Sequence, residues 1–317
     1  MEKNIAVGDV ARNGKSIKKI LKLYNFPSNR RHFFKEINSS RLLLYQNFII
    51  LEYNDCLMKS DGLRTIRVSK DNEAYFYNYI KDNFADYFFF HVDYAQYPES
   101  TEIYMILDNK DKVHAMVLLW KDQRIQLRGT NFGLEFLLNG KNYKPISVTG
   151  FEHHRKLVSK YFPAFKKEIA LYRMKLTKGE QKDFERFEFQ KLTESHRKNI
   201  TLLMRNADPI FWGSREPEDI LIDENNTWYG IEEKKKLVSI VSIWRYENIG
   251  YITVVGTHSD CWNQGYASSL ISSVLKVLFL EKEQCFIMVR VANTPAVHTY
   301  KKLGFSILNT HYSYERL

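Results

Sequence analysis

The stretch "VVGTHSDCWNQGYASSLISSVLKVL", residues 254–278, decides how this chain reads. A β-branched run leads into a turn at Gly265, and an apolar run with helical spacing follows. A strand, a glycine turn and a helix opening on that turn make a phosphate site on physical grounds. The first N–H groups of a helix point outward without partners, and the helix dipole favours negative charge there. Gly265 admits a close approach and an unusual φ. Ala267 keeps the wall low, and Ser268 and Ser269 can cap or donate. Neither the G-x-x-x-x-G-K-[ST] nor the G-x-G-x-x-G phosphate loop occurs here. Taken alone, the stretch is also what any turn of small residues before a helix looks like.

The rest of the chain narrows the class. With 317 residues, 44% hydrophobic and 15% aromatic, the chain has the composition of a folded globular protein of one large or two medium domains. It has no run of 18 apolar residues and no cleavable leader pattern, so the expectation is a soluble, cytoplasmic protein with no membrane partner. Cys56, Cys261 and Cys285 are odd in number and widely spaced, which fits reduced thiols and argues against a cysteine zinc site. The net charge of +10 invites a nucleic-acid reading, but its distribution argues against one. Residues 1–50 hold 10 basic and 3 acidic side chains, whereas residues 201–317 hold 12 and 13. The charge therefore lies away from the glycine turn.

Periodicity and turn residues divide the chain into two similar halves. Residues 15–25 read as a short amphipathic helix, and the apolar run at 39–60 gives no clear assignment. From Leu63 the order is β-α-β-β-β-α-β-α-β, and the same order returns from Glu185 to the end. A hairpin turns at Asp108–Asp111, and a second turns between "TWYGIEE" and "KLVSIVSIWRY". The polar stretch "TKGEQKDF", residues 177–184, reads as the joint. Thr294, Pro295 and Gly304 suit the cap, first turn and C′ position of the last helix.

In the second half, the glycine turn is followed some 25 residues later by "ANTPAVHTYKKLGF". The pair resembles the GNAT acetyltransferase superfamily over about residues 185–317. That family's acetyl-CoA loop reads Arg/Gln-x-x-Gly-x-Gly/Ala. Trp262, Asn263, Gln264, Gly265, Tyr266 and Ala267 stand in its six positions, with Trp262 departing from Arg/Gln. The family's second motif is met by Asn293, Ala296, Tyr300, Gly304 and Phe305. The resemblance implies an α/β fold of two GNAT-like domains in tandem, each a mixed, mostly antiparallel sheet flanked by helices. Residues 1–180, with an extra helical segment at the start, form the first, and 185–317 the second.

It also implies a transferase, an acetyl-CoA-dependent N-acetyltransferase working by direct attack in a ternary complex, with acetyl-CoA as co-substrate, no metal, and an amine acceptor of unspecified kind. Asn263, Gln264, Gly265, Tyr266, Ala267 and Ser268 would hold the pyrophosphate. Val255 and Thr257 would pair by backbone with the pantetheine arm, and Asn293 would orient its end. Tyr300 would protonate the departing thiolate, unless it is a core tyrosine. For the general base the resemblance thins. The family's Glu position is Tyr251, with Thr253 on the same face, and Glu247, His258 or a water relay are the alternatives. Phe211 and Trp212 either wall a substrate pocket or pack their loop against the sheet, and Asp208, Arg215 and Glu216 are placed to select charge. Two rival readings stay open: a non-catalytic CoA-binding or regulatory module, and a basic protein of nucleic acid or the ribosome.

The first half has the element order without the motifs. "LRGTNFGLEFLL", residues 127–138, lacks the x-x-Gly-x-Ala frame, and Phe162–Pro163 follows Tyr161 where Gly-Phe belongs. It resembles a degenerate GNAT-like domain that no longer binds CoA. His153 and His154 are adjacent, and neighbours on a helix do not face one site, so they are not expected to bind metal.

Overall fold

The computed structural model describes residues 42–45, 48–51, 62–121 and 123–316. The helix expected over residues 15–25 lies outside them. The chain divides into two compact units, residues 1–63 and 64–317. In the first, Leu42–Tyr45 (β1) and Phe48–Leu51 (β2) form an antiparallel hairpin within the run at 39–60.

The second unit is built on one twelve-stranded sheet. Its first half runs through strand β3 (Arg64–Arg67), helices α1 (Glu73–Ile80) and α2 (Phe84–Gln96), strands β4 (Thr101–Leu107), β5 (Val113–Trp120) and β6 (Arg124–Gly129), helix α3 (Asn131–Leu138), strand β7 (Ser147–Phe151), helix α4 (Arg155–Tyr161) and strand β8 (Phe165–Thr177). Its second half runs through strand β9 (Gln190–Leu192), helices α5 (Arg197–Ala207) and α6 (Pro209–Trp212), strands β10 (Asn226–Glu233), β11 (Lys236–Tyr246) and β12 (Ile249–Thr257), helix α7 (Tyr266–Leu278), strand β13 (Gln284–Arg290), helix α8 (Thr294–Lys302) and strand β14 (Ser306–Arg316). The repeated element order expected from the sequence is present, with a second helix after the first in each half.

The halves meet by exchanging their last strands. The spatial order is β3-β4-β5-β6-β7-β14-β8-β13-β12-β11-β10-β9. β14 lies between β7 and β8, while β8 lies between β14 and β13, with every pairing among these four antiparallel. Two sheets thus become one, and neither half keeps an exposed edge at the join. Pairing is antiparallel throughout the sheet except at β6–β7 and β12–β13, the two parallel crossovers.

Helices cover both faces. α7 and α8 bury Leu270, Ile271, Val274, Leu275, Leu278, Tyr300 and Leu303 against Ile252, Ile287 and Val289. On the other face of this half, α5 buries Ile200, Leu203 and Met204 against Leu192, Trp228 and Ile240. Helix α2 was not recognised in the sequence. Its Phe90 and Tyr94 enter the core of the first half, and its Phe88 and Val92 enter a cluster with Ile249, Tyr251 and Phe286 of the second. A helix buried on both sides is apolar all round, so it shows no amphipathic stripe.

Two local expectations change. The strand expected over residues 185–193 pairs only at Gln190–Leu192. The residues before it lie along α7 instead, where Ser269 Oγ accepts from the N–H groups of Arg186 and Phe187, and Ser272 Oγ from that of Phe184. The cap of α8 is Asn293, whose Oδ1 accepts the Ala296 N–H at 3.3 Å, and Thr294 is the first helical residue. Gly304, with φ +106°, ends that helix as expected. A Cβ there would meet the Glu180 carbonyl at 2.6 Å.

Candidate functional site

The site begins with a mismatch in strand pairing. Ile252 opposes Ile243 and Val254 opposes Ser242, which leaves Thr253 as an extra residue in β12. A bulge bends its strand and raises the local twist. β12 pairs with β13 only from Ile249–Gln284 to Ile252–Ile287. Beyond that point the facing edges of residues 253–257 and 288–290 are parted, and burial falls at Thr253 as the gap opens. α7 starts beside this gap. Gly265 is its N-cap with φ +91°, preceded by Asn263 at φ +60°. The first bond running back along the helix joins the Ser269 N–H to the Gly265 carbonyl at 2.9 Å. The N–H groups of Tyr266, Ala267 and Ser268 therefore have no intrahelical partner. The first turn carries no acidic residue.

Most of the expected cofactor residues gather here. Gln264 Nε2 donates to the Asp260 carbonyl at 3.0 Å and closes the loop. Tyr266 stacks on Phe187 at 4.2 Å. Val255 lies on the opened part of β12. The carbonyl of Thr257 is already engaged, by the indole N–H of Trp262 at 2.7 Å. Asn293 stands at the start of α8 with its side-chain oxygen spent on the cap. Tyr300 is buried in the cluster that holds Ile252, Ile287 and Val289, with Val255 packed against it. Burial pushes its phenol well above the usual range, so it stays protonated at neutral pH.

The two carboxylate-position candidates are not at the opening. Tyr251 lies on the paired part of β12, 1% exposed, stacked on Phe88 at 4.7 Å and flanked by Phe89 and Phe286. Burial pushes its phenol up, away from any role as a base near neutrality. Glu247 sits in the β11–β12 turn at φ +41°, where its carbonyl takes the Lys282 ammonium at 2.6 Å. It precedes Ile249, the first residue of β12, and Thr253 lies four residues further along that strand, about 13 Å toward the open end. His258 is close to the opening, and its Nδ1 accepts the Asp260 N–H at 3.3 Å.

On the face opposite α7, the corner between α5 and α6 bridges the gap. Asn206 holds Ser259, just beyond β12, through its N–H at 2.7 Å and its hydroxyl at 3.2 Å. Asp208 reaches Arg290, the last residue of β13, at 3.4 Å. Arg290 lies over the Phe211 ring at 4.9 Å, and Phe211 stays 61% exposed. Trp212 instead packs against the α5 cluster. So Phe211 is at the mouth and Trp212 under the loop. Arg215 offers its carbonyl to Arg205, and Glu216 pairs with the same arginine.

A chain of hydrogen bonds orients the hydroxyl of Thr253, which the sequence reading placed only as a neighbour of Tyr251. Asn226 Nδ2 donates to the Leu221 carbonyl at 2.8 Å, so its Oδ1 is the acceptor for Ser242 Oγ at 2.8 Å. With that proton committed, Ser242 accepts from Thr253 Oγ1 at 3.1 Å. Thr253 Oγ1 is left as an acceptor at the opening.

Residues 193–305 match the model of the acetyltransferase (GNAT) family. They form a GNAT acetyltransferase domain. Solved structures agree on the fold. A GNAT-family acetyltransferase from Colwellia psychrerythraea superposes with a TM-score of 0.53 at 9% identity, over 80% of this chain and all of the other. A Drosophila protein gives 0.54 at 10% identity, over 68% and 79% of the two chains. The glucosamine N-acetyltransferase region of a fungal multi-domain β-N-acetylglucosaminidase gives 0.51 at 10% identity, over 80% of this chain and 38% of that one. No curated protein matches the sequence.

A Cβ built on Gly265 would have only one heavy atom within 4 Å, Arg186 Nη1 at 3.9 Å, so the ground in front of the helix is open. Unpartnered N–H groups and the positive end of the helix dipole face that ground. Among the described residues no group of His, Cys, Asp and Glu could hold a metal, and no helix is long and apolar enough to cross a membrane.

The first half has the same parting, with histidines at its end. β6 and β7 pair only from Arg124–Ser147 to Gln126–Thr149. The carbonyl of Gly129, at the end of β6, is taken by His154 Nε2 at 2.9 Å and approached by His153 Nε2 at 3.3 Å. His154 Nδ1 accepts the Phe151 N–H at 3.1 Å, so Nε2 carries the proton. The adjacent histidines do converge on one atom, because they sit in a 3₁₀ turn where the sequence reading expected α-helix.

These buried histidines set an acid limit on stability. Burial pushes His91 and His154 down to about 4, and pushes His311 down further beside Arg128 and Arg173. Each is neutral when folded but takes a proton near pH 6.5 when unfolded. Stability is therefore full above pH 6.5 and is lost as pH falls toward 4, by about 3 kcal/mol for each of His91 and His154. Asp93, pushed up to about 7 by burial, opposes this, since its protonation favours the folded state. Three groups outweigh one, so denaturant midpoints should fall between pH 6.5 and 4. A midpoint that is flat or rises across that range contradicts the assignment.

Proposed function

We propose that the second half is an N-acetyltransferase that takes acetyl-CoA as donor and a primary amine as acceptor, in the cytoplasm, without a metal. The observation that carries this reading is the parted β12–β13 pair opening beside the Gly265 start of α7. Residues 263–268 would hold the pyrophosphate through backbone N–H groups, and the free edge of β12 at Val255 would pair with the pantetheine amides. When bound, the cofactor supplies a thioester carbonyl and a thiolate leaving group. Tyr300 gives its proton to that thiolate, a transfer suited to a phenol that burial keeps protonated. Thr253 Oγ1 accepts an N–H of the incoming amine and holds it at the gap. Asp208, Arg290 and Phe211 line the acceptor's approach. With Tyr251 sealed and Glu247 at the far turn, the amine's proton leaves through water. We take residues 1–180 as a GNAT-like domain that cannot take CoA, since residues 127–138 lack the glycine frame and Phe162–Pro163 stands where Gly-Phe belongs.

The same two residues favour a second reading. A CoA-binding module without catalysis would need no base at the opening. The test is to mix the protein with acetyl-CoA and pools of amines and follow thiol release. Release above the hydrolysis background supports the enzyme. Binding of CoA with no release on broad pools supports the module, and no binding at all removes both.

A further inference from the structure

We infer that Arg186, from the strap between the two halves, is the cation that holds the CoA pyrophosphate, in place of the side chain that Trp262 replaces. The inference rests on the CoA-binding reading and adds a residue outside the span that matches the family, 193–305. Trp262 carries no charge, and its indole is turned to the Thr257 carbonyl. The helix's own lysine, Lys276, is in the last turn of α7 and is held by Asp183 and Glu185. Arg186 is placed otherwise. Its N–H and that of Phe187 both donate to Ser269 Oγ, at 2.9 and 3.1 Å, which pins the strap to the first turn of the helix. Phe187 stacks on Tyr266, the first residue of that turn. Phe184, Phe187 and Phe189 pack into the core, so Arg186 projects outward. Its Nη1 reaches within 3.9 Å of where a Gly265 Cβ would stand. Among the described residues its guanidinium has no carboxylate partner. An unpaired guanidinium beside the helix start, where N–H groups are unpartnered, matches a diphosphate, which offers oxygens to both.

Because the strap is pinned by main-chain N–H groups, the side chain can be changed without releasing it. The test is calorimetric titration of the full-length protein with CoA and with dephospho-CoA, which lacks the 3′-phosphate. Arg186→Ala should weaken CoA about 10- to 100-fold, and Arg186→Lys should recover part of the loss. The loss should be equal for dephospho-CoA. Melting curves for Arg186→Ala and Arg186→Gln report whether the fold is intact, and either variant serves. Unchanged affinity in a folded variant overturns the inference. So does a loss seen with CoA but not with dephospho-CoA, which would assign Arg186 to the 3′-phosphate. A wild-type protein that binds neither compound instead removes the CoA reading itself.

Discussion

Gly265→Val is expected to weaken CoA binding by about 100-fold or more while the chain stays folded. Gly265 holds φ +91°, where a β-branched residue is strained by roughly 1–2 kcal/mol. The loop can relieve that strain only by rotating, and rotation turns the N–H groups of Tyr266, Ala267 and Ser268 away from a common point. If the loop holds instead, the added side chain occupies the open ground between the helix start and Arg186. Both outcomes remove the anion site. The helix itself is anchored elsewhere, through Leu270, Ile271, Val274 and Leu275 in the core, so the loss of stability should not exceed the strain. Calorimetry with CoA, alongside thermal melting, checks both parts. Wild-type affinity in Gly265→Val would mean that CoA does not sit at this loop.

Tyr300→Phe is expected to cut turnover about 100-fold or more and to leave CoA affinity within a factor of about three. The phenol is buried, and no protein hydrogen bond holds its hydroxyl among the described residues, so the change removes a proton source and little packing. The ring would keep its edge contact with Phe305 at 6.1 Å. Steady-state rates with an accepted amine, set against calorimetric CoA affinity, separate the roles. A large fall in affinity with rates in proportion would make Tyr300 a structural residue.

Element order was legible along most of the second unit because strand alternation, helical spacing and turn residues are local signals. The hairpins at Asp108–Asp111 and Lys234–Lys235 and the helix behind Gly265 were all read this way. Helix α2 was not, because each of its sides meets a different core and its aromatic residues show no stripe. Its Phe88 and Phe89 are what seal Tyr251, so the burial of that position was not legible without the helix. Glu247 was a candidate as the carboxylate of the preceding turn, yet the strand from Ile249 to Thr253 is about 13 Å long and lies between it and the opening.

By itself, the sequence determined where a phosphate site could form. A glycine that tolerates positive φ, small residues after it and an apolar helical run are properties of consecutive residues. Only the tertiary structure decided what surrounds that turn. Arg186 reaches Gly265 across 79 residues of chain because Ser269 satisfies two backbone N–H groups of the strap. Strand β14 joins β7 and β8 because each half lends the other its last strand. His154 reaches the Gly129 carbonyl at the end of β6 because a 3₁₀ turn carries it there. Each of these depends on which distant groups burial brings together and leaves in need of partners, and no local pattern encodes that.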